Sequence, residues 1–200
     1  HEGKSSVYLA RLRIGESDGE PGAANGISIG NRLEPLVDDF LIDELSGGAS
    51  LRLHPPVRRE VVLRHDAPWE GNTSTYHTVF RDVDRYRMYY RGHHAAEHGE
   101  GVLENHPQFV CYADSADGIH WTKPELGLFE FNGSKANNIV WANGPGVHNF
   151  APFKDTRPGI PANEVYKAVG SHGRGLYAFR SPDAIHWELM HDQPVITEGA

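Results

Sequence analysis

The sequence predicts an all-β protein made of β-propeller blades, about two four-stranded antiparallel units. Three observations carry that expectation. A seven-residue pattern occurs twice, Ser115-Ala116-Asp117-Gly118-Ile119-His120-Trp121 and Ser181-Pro182-Asp183-Ala184-Ile185-His186-Trp187, with five identical positions. Self-similarity at a long spacing marks a repeat architecture. Each copy follows a short aromatic stretch, Phe109–Ala113 or Leu176–Phe179, and reads as a tight turn feeding a Trp-bearing strand. The composition agrees: 22 Gly and 13 Pro break the apolar runs into short pieces, as many short strands require. The alternative is one antiparallel sandwich in which two hairpins look alike.

The elements follow in order. Residues 1–31 are rich in Gly, Ser, Asp, Asn and Ala with little periodicity, and are expected to be a flexible N-terminal segment. Residues 32–200 are expected to form the partial propeller. Leu33–Asp43 mixes apolar and acidic residues and reads as an edge strand, its Asp38, Asp39 and Asp43 as a solvated edge. Leu51–His54 and Arg59–Arg64 read as strands around Pro55-Pro56. After the loop His65–Ser74, strands are expected at Thr75–Arg81, Tyr86–Arg91, Phe109–Ala113 and Ile119–Thr122, with Gly92–Pro107 a long His-rich loop. A linking region follows, with a short strand at Asn138–Trp141. The cycle then restarts with Phe150–Lys154, Val165–Val169, Leu176–Phe179 and Ile185–Leu189.

Charge and composition exclude several functions. Nineteen basic against 27 acidic residues leave a formal charge of −8, so a general nucleic-acid partner is not expected, nor a membrane. The chain lacks the apolar run of about 18 residues that a spanning helix needs. The single cysteine, Cys111, sits in a strand and reads as a small buried residue rather than a nucleophile.

Thirteen histidines are many for this length. His94-Ala95-Ala96-Glu97-His98 matches H-x-x-E-H, the inverted zinc-protease pattern. That pattern binds metal only on a helix, where positions four apart share a face, and here it lies between strands. No metal and no cofactor are therefore expected.

Along the chain stand VDDFLID, PWEGN, YRMYYRG, CYADSADGIHWTKPELGLFEFNG, NNIVW and NFAPFKDT. By these stretches, over 33–200, the chain resembles bacterial secreted proteins described as similar to the N-terminal part of glycoside hydrolase family 32. The clan also holds families 43 and 68, with a five-bladed propeller fold, so it implies glycosidic-bond cleavage of a poly- or oligosaccharide, a carbohydrate partner and an extracytoplasmic location. The clan's first-blade aspartate motif W-M-N-D-P-N-G is absent, Trp69-Glu70-Gly71-Asn72 being nearest. On this resemblance the chain is an N-terminal portion whose acid and transition-state carboxylates lie in later blades. The repeated turn also resembles the sialidase Asp box but is one residue shorter.

Strand counting assigns the loops to two faces. The start of the Tyr76 strand, the 93–106 connection, His148-Asn149 and Ser171–Arg174 share one face. Both Ser-x-Asp turns fall on the other, so Asp117 and Asp183 are expected to be structural. In the resembling clan, catalytic carboxylates stand on the first of these faces. Glycoside cleavage needs two carboxyl groups flanking the bond. Glu70 is the first catalytic candidate and Asp66 the second. Trp69, Asn72, Tyr76, His77, His93, His94, His148 and Asn149 are the candidates for binding substrate, by stacking or by hydrogen bonds to hydroxyls. A non-catalytic carbohydrate-binding propeller is the competing expectation; it requires aromatics and amides in the pocket but no carboxylate pair.

Overall fold

A computed structural model describes residues 10–11, 38, 40–42, 44–45, 47–52, 55–98 and 101–197. The chain divides into two units, His1–Arg58 and Arg59–Ala200. In the first, β1 (Ala10–Arg11) pairs antiparallel with β2 (Glu44–Leu45). The rest of the expected N-terminal segment lies outside the described residues, as do Asp39, Asp43 and most of Leu33–Asp43. Phe40 and Leu41 form a turn rather than a strand.

The second unit is all-β. β3 (Thr75–Asp82), β4 (Arg85–His98), β5 (Gly101–Ser115) and β6 (Ile139–Trp141) form one antiparallel sheet in chain order. β7 (His148–Lys154), β8 (Tyr166–His172), β9 (Gly175–Ser181) and β10 (Glu188–Leu189) form the second, also in chain order. Two four-stranded antiparallel sheets were expected, and two are found.

Three expectations are corrected. Arg59–Arg64 carries no strand: its Val61 and Val62 are exposed and, among the described residues, no ladder partner lies beside them. A β-branched run becomes a strand only where a neighbour accepts its hydrogen bonds. Gly92–Pro107 is not a loop. β4 and β5 continue past the sheet as a ribbon, pairing His94 with His106 and Ala95 with Glu104. The H-x-x-E-H residues are therefore extended, and positions four apart stand about 13 Å from one another along a strand, too far to share a metal ion. The fourth strand of the first sheet is β6, not Ile119–Thr122. The amides of Ile119 and His120 are already given to Asp117 Oδ1, and Pro124 has no N–H to offer. Only Thr122 bridges back to Asp114.

The two parities of β4 and β5 explain the core. YRMYYR and FVCYA are apolar at both odd and even positions, the mark of a strand buried on both faces. Tyr89, Val110 and Tyr112 face the second sheet and pack with Phe150, Tyr166, Phe179 and Trp187. Met88, Tyr90, Phe109, Cys111 and Ala113 face the other way, under Leu63, Trp69, Trp121, Phe129 and Phe131. Cys111 is fully buried, and burial pushes its thiol well above the usual range. Across the sheets, Tyr89 donates its hydroxyl proton to the Ala184 carbonyl at 2.7 Å. Asp82, at the end of β3, accepts from Arg87 (2.6 Å), from Lys154 (2.6 Å) and from Tyr166 (2.7 Å), the last two from the second sheet.

Candidate functional site

The Ser-x-Asp turns close β5 and β9 with one set of hydrogen bonds used twice. Ser115 Oγ accepts the amides of Asp117 and Gly118; Ser181 Oγ accepts those of Asp183 and Ala184. Asp117 Oδ1 and Asp183 Oδ1 each take the next two amides, and their Oδ2 atoms pair with His120 and His186. Trp121 and Trp187 donate their indole N–H to the carbonyls of Gly118 and Ala184. Every carboxylate oxygen is used within the turn, so Asp117 and Asp183 serve structure. Ser115 pairs with Tyr86 beside the β3–β4 turn, and Gly92 pairs with Phe109 towards the other end of the sheet. The repeated turns thus stand at the opposite strand ends from the first residues of β3 and β7.

At those first residues the two sheets share a second, unforeseen repeat. β3 is bulged between Thr75 and Thr78, and β7 between His148 and Ala151. In both bulges the second strand residue is left-handed: Tyr76 at φ 57 and Asn149 at φ 54. A bulky side chain in that region is uncommon, and such strain collects where a side chain must be re-aimed. Tyr76 is re-aimed over the Arg91 guanidinium, whose carbon lies 4.8 Å from the ring centre, with the His148 ring edge-on at 5.0 Å.

His148 lines a cleft of about 660 Å³ together with Pro107, Gln108, Asn143, Pro145, Ser171 and His172. Gly170 allows the cleft's backbone to close up, because a Cβ there would collide with the Gly146 carbonyl oxygen. His148 Nδ1 lies 3.1 Å from Arg91 Nη1 and 3.0 Å from Gln108 Oε1. Burial, Arg91 and His93 lower its pKa below the usual 6.5. None of the described residues that line the cleft carries a carboxylate.

The carboxylate candidates belong to a different cluster. Glu70 is completely buried. Its Oε1 accepts from the Tyr90 hydroxyl at 2.5 Å, its Oε2 from the Ala67 amide and Lys123 Nζ, both at 2.8 Å. His65 Nδ1 stands 3.5 Å away. Burial pushes the Glu70 pKa up, but His65, Lys123, Tyr90 and the Ala67 amide outweigh it and hold it at about 2. A carboxyl ionised so strongly cannot supply a proton near neutral pH. Asp66, largely exposed, meets the same Lys123 at 3.1 Å. Trp69 gives its indole N–H to Asn138 Oδ1 at 2.6 Å, and Asn138 in turn donates to the Tyr90 hydroxyl. The loop is seated by Gly71, left-handed at φ +67, where any Cβ would strike the His93 backbone.

The remaining candidates divide between these places. His77 Nε2 meets His65 Nε2 at 2.9 Å, and its ring stacks on Tyr90. Asn72 spends its amide on both backbone groups of Ala95. His93 is buried with Nδ1 2.8 Å from Thr73 Oγ1, and His94 lies against His106. Asn149 is exposed beside His148. Sequence reasoning did not name Gln108 and Asn143 in the cleft, Arg91 behind it, or His65, Lys123 and Asn138 around Glu70. Strand counting placed Ser171 and His172 on the face of the cleft without making them candidates, and Ser171 pairs with His148 as Arg91 pairs with Thr75. No group of three or more metal-ligating side chains is assembled among the described residues.

Comparison with family models, with curated proteins and with solved structures found no match for the chain.

Proposed function

We propose that the chain is a carbohydrate-binding protein whose two sheets are propeller blades and whose cleft at Gln108, Asn143, His148 and Ser171 receives the sugar. The observation that carries this reading is the lining itself. Among the described residues it offers an amide from each of Gln108 and Asn143, imidazoles from His148 and His172 and a hydroxyl from Ser171, and no carboxylate. Neutral donors and acceptors of this kind suit sugar hydroxyls, while cleavage would call for a flanking carboxyl pair. Titration with oligosaccharide panels tests it. Binding should be seen for the parent chain and should fall at least about tenfold, some 1.4 kcal/mol, when Gln108 or His148 is replaced by alanine. A parent chain that binds no glycan overturns the reading.

A second reading, hydrolysis of a glycosidic bond, keeps one observation in its favour beside the resemblance to the glycoside hydrolase clan. Asp66 and Glu70 both reach one ammonium, so the two carboxyl groups lie as close as such enzymes require. Turnover on glycan panels, with Glu70→Gln as the comparison, separates the two readings. Unchanged turnover in that variant removes Glu70 from the chemistry. An extracytoplasmic location belongs with either reading and rests on the resemblance alone.

A further inference from the structure

We propose that the sugar bound in the His148 cleft is an acidic one, and that its anionic group, a uronate carboxylate or a sulfate ester, is held by His148 with Arg91 directly behind it. The inference rests on the carbohydrate-binding reading and narrows the class of ligand.

Arg91 is the first reason. Three other arginines of the sheets have carboxylate partners, Arg87 with Asp82, Arg85 with Asp114 and Arg180 with Glu188, and Arg81 is exposed to water. Arg91 has none among the described residues. Its Nη2 donates to the Thr73 carbonyl at 3.2 Å, its Nη1 lies against His148, and its Nε is buried without a partner. A half-buried guanidinium carries a charge that its surroundings normally neutralise. Among the described residues the surroundings supply the face of Tyr76, and none that lines the cleft beyond His148 is acidic. In a chain of formal charge −8, a lining of described residues without carboxylates leaves room for a negative ligand.

The second reason is the position of His148 Nδ1 between opposite demands. Arg91 Nη1 can only donate to it, whereas Gln108 Oε1 can only accept from it. A neutral imidazole with its proton on Nε2 satisfies Arg91. An imidazolium satisfies Gln108 and presents a second N–H from Nε2, but it places a new positive charge beside Arg91. Among the described residues the other groups facing His148 supply no negative charge: Gln108 from β5 accepts from Nδ1–H, His93 from β4 opposes the charge, and Tyr76 from β3 and Ser171 and His172 from β8 are no anions. An anion in the cleft reverses the balance. It neutralises the pair and lets Nδ1–H turn to Gln108, so the ligand and a proton bind together. Affinity for an acidic sugar therefore rises as pH falls through the imidazole range, and affinity for a neutral sugar does not.

The test is calorimetric titration of the chain at about pH 5.5 and about pH 7.5, in two buffers of different ionisation enthalpy. Three probes are used: a trigalacturonate, a sulfated trisaccharide and a neutral trisaccharide. Sodium sulfate alone is the fourth. The expected result is binding of at least one acidic trisaccharide about tenfold or more tighter than the neutral one at the lower pH, with uptake of close to one proton. In His148→Gln the proton uptake and the pH dependence vanish. In Arg91→Met the preference for the acidic probe vanishes; His148→Gln, a near-isosteric change, serves if Arg91→Met does not fold. Equal affinity for acidic and neutral sugars overturns the anionic assignment and leaves carbohydrate binding standing. Sulfate binding that depends on His148, with no sugar bound, does the reverse. Binding of none of the four overturns both.

Discussion

Glu70 is a catalytic candidate in the sequence and a buried, tightly held anion in the fold. A lone glutamate in a Gly-rich loop next to a tryptophan has the setting of a site residue. In the fold it is a buried anion clasped by Lys123, Tyr90 and the Ala67 amide. Its folded pKa of about 2 lies below the ordinary 4.5, so its contribution to stability is present above about pH 4.5 and is lost as pH falls towards 2. Denaturant melts of Glu70→Gln should show a loss on the order of 3 kcal/mol at neutral pH and a flatter acid limb. Lys123→Met should cost a similar amount, because it strands a buried charge. If either variant melts like the parent at neutral pH, the clasp is not what holds the loop. Tyr76 is the converse case. Its aromatic ring was legible as a candidate, but its left-handed backbone, which sets the ring over Arg91, is a bulge that no residue type announces.

At the scale of the element, the Ser-x-Asp turn and the inner-strand bulge are the two repeated devices. The turn was visible because it is made by side chains: Ser, Asp and Trp each bond backbone within a few residues, so the chemistry is local and leaves a pattern. Asp183→Ala removes acceptors from two amides and should destabilise by about 1–2 kcal/mol by thermal melts, and Asp117→Ala should lower the melting temperature as well. Neither should alter sugar affinity, since the turns stand at the far strand ends. The bulge was invisible because it is made by backbone pairing with β4 and β8. The same limit hid the β4–β5 ribbon, whose polar residues read as a loop until their partners were known. Gly170→Ala probes the cleft's floor; a Cβ against the Gly146 carbonyl should cost about 1–3 kcal/mol and weaken binding at His148.

For the whole molecule, the packing of sheet on sheet decides what the cleft is made from. Tyr89 and the Asp82 cluster tie the first sheet to the second, and with it His148 and Ser171 to Arg91 and Gln108. Asp82 is held at about 2 although burial raises it, since Lys154, Tyr166 and Arg87 all lower it. It adds a second acid-sensitive contribution with the same sign as Glu70. Asp82→Asn should therefore weaken sheet–sheet association and, at a distance, the affinity at His148; an unchanged affinity would mean that the cleft is assembled without this clamp.

The sequence by itself determined the all-β class, the two four-stranded units, their chain order and the structural part played by Asp117 and Asp183. Those follow from strand periodicity and from turn chemistry, which act between residues close together in the chain. Only the tertiary structure decided which side chains meet. Glu70 and Lys123, or Arg91 and His148, are more than fifty residues apart, and no local pattern encodes their encounter. Long-range ladders and close sheet packing bring them together, setting Glu70 in a buried clasp and an unremarked arginine against His148 of the candidate cleft.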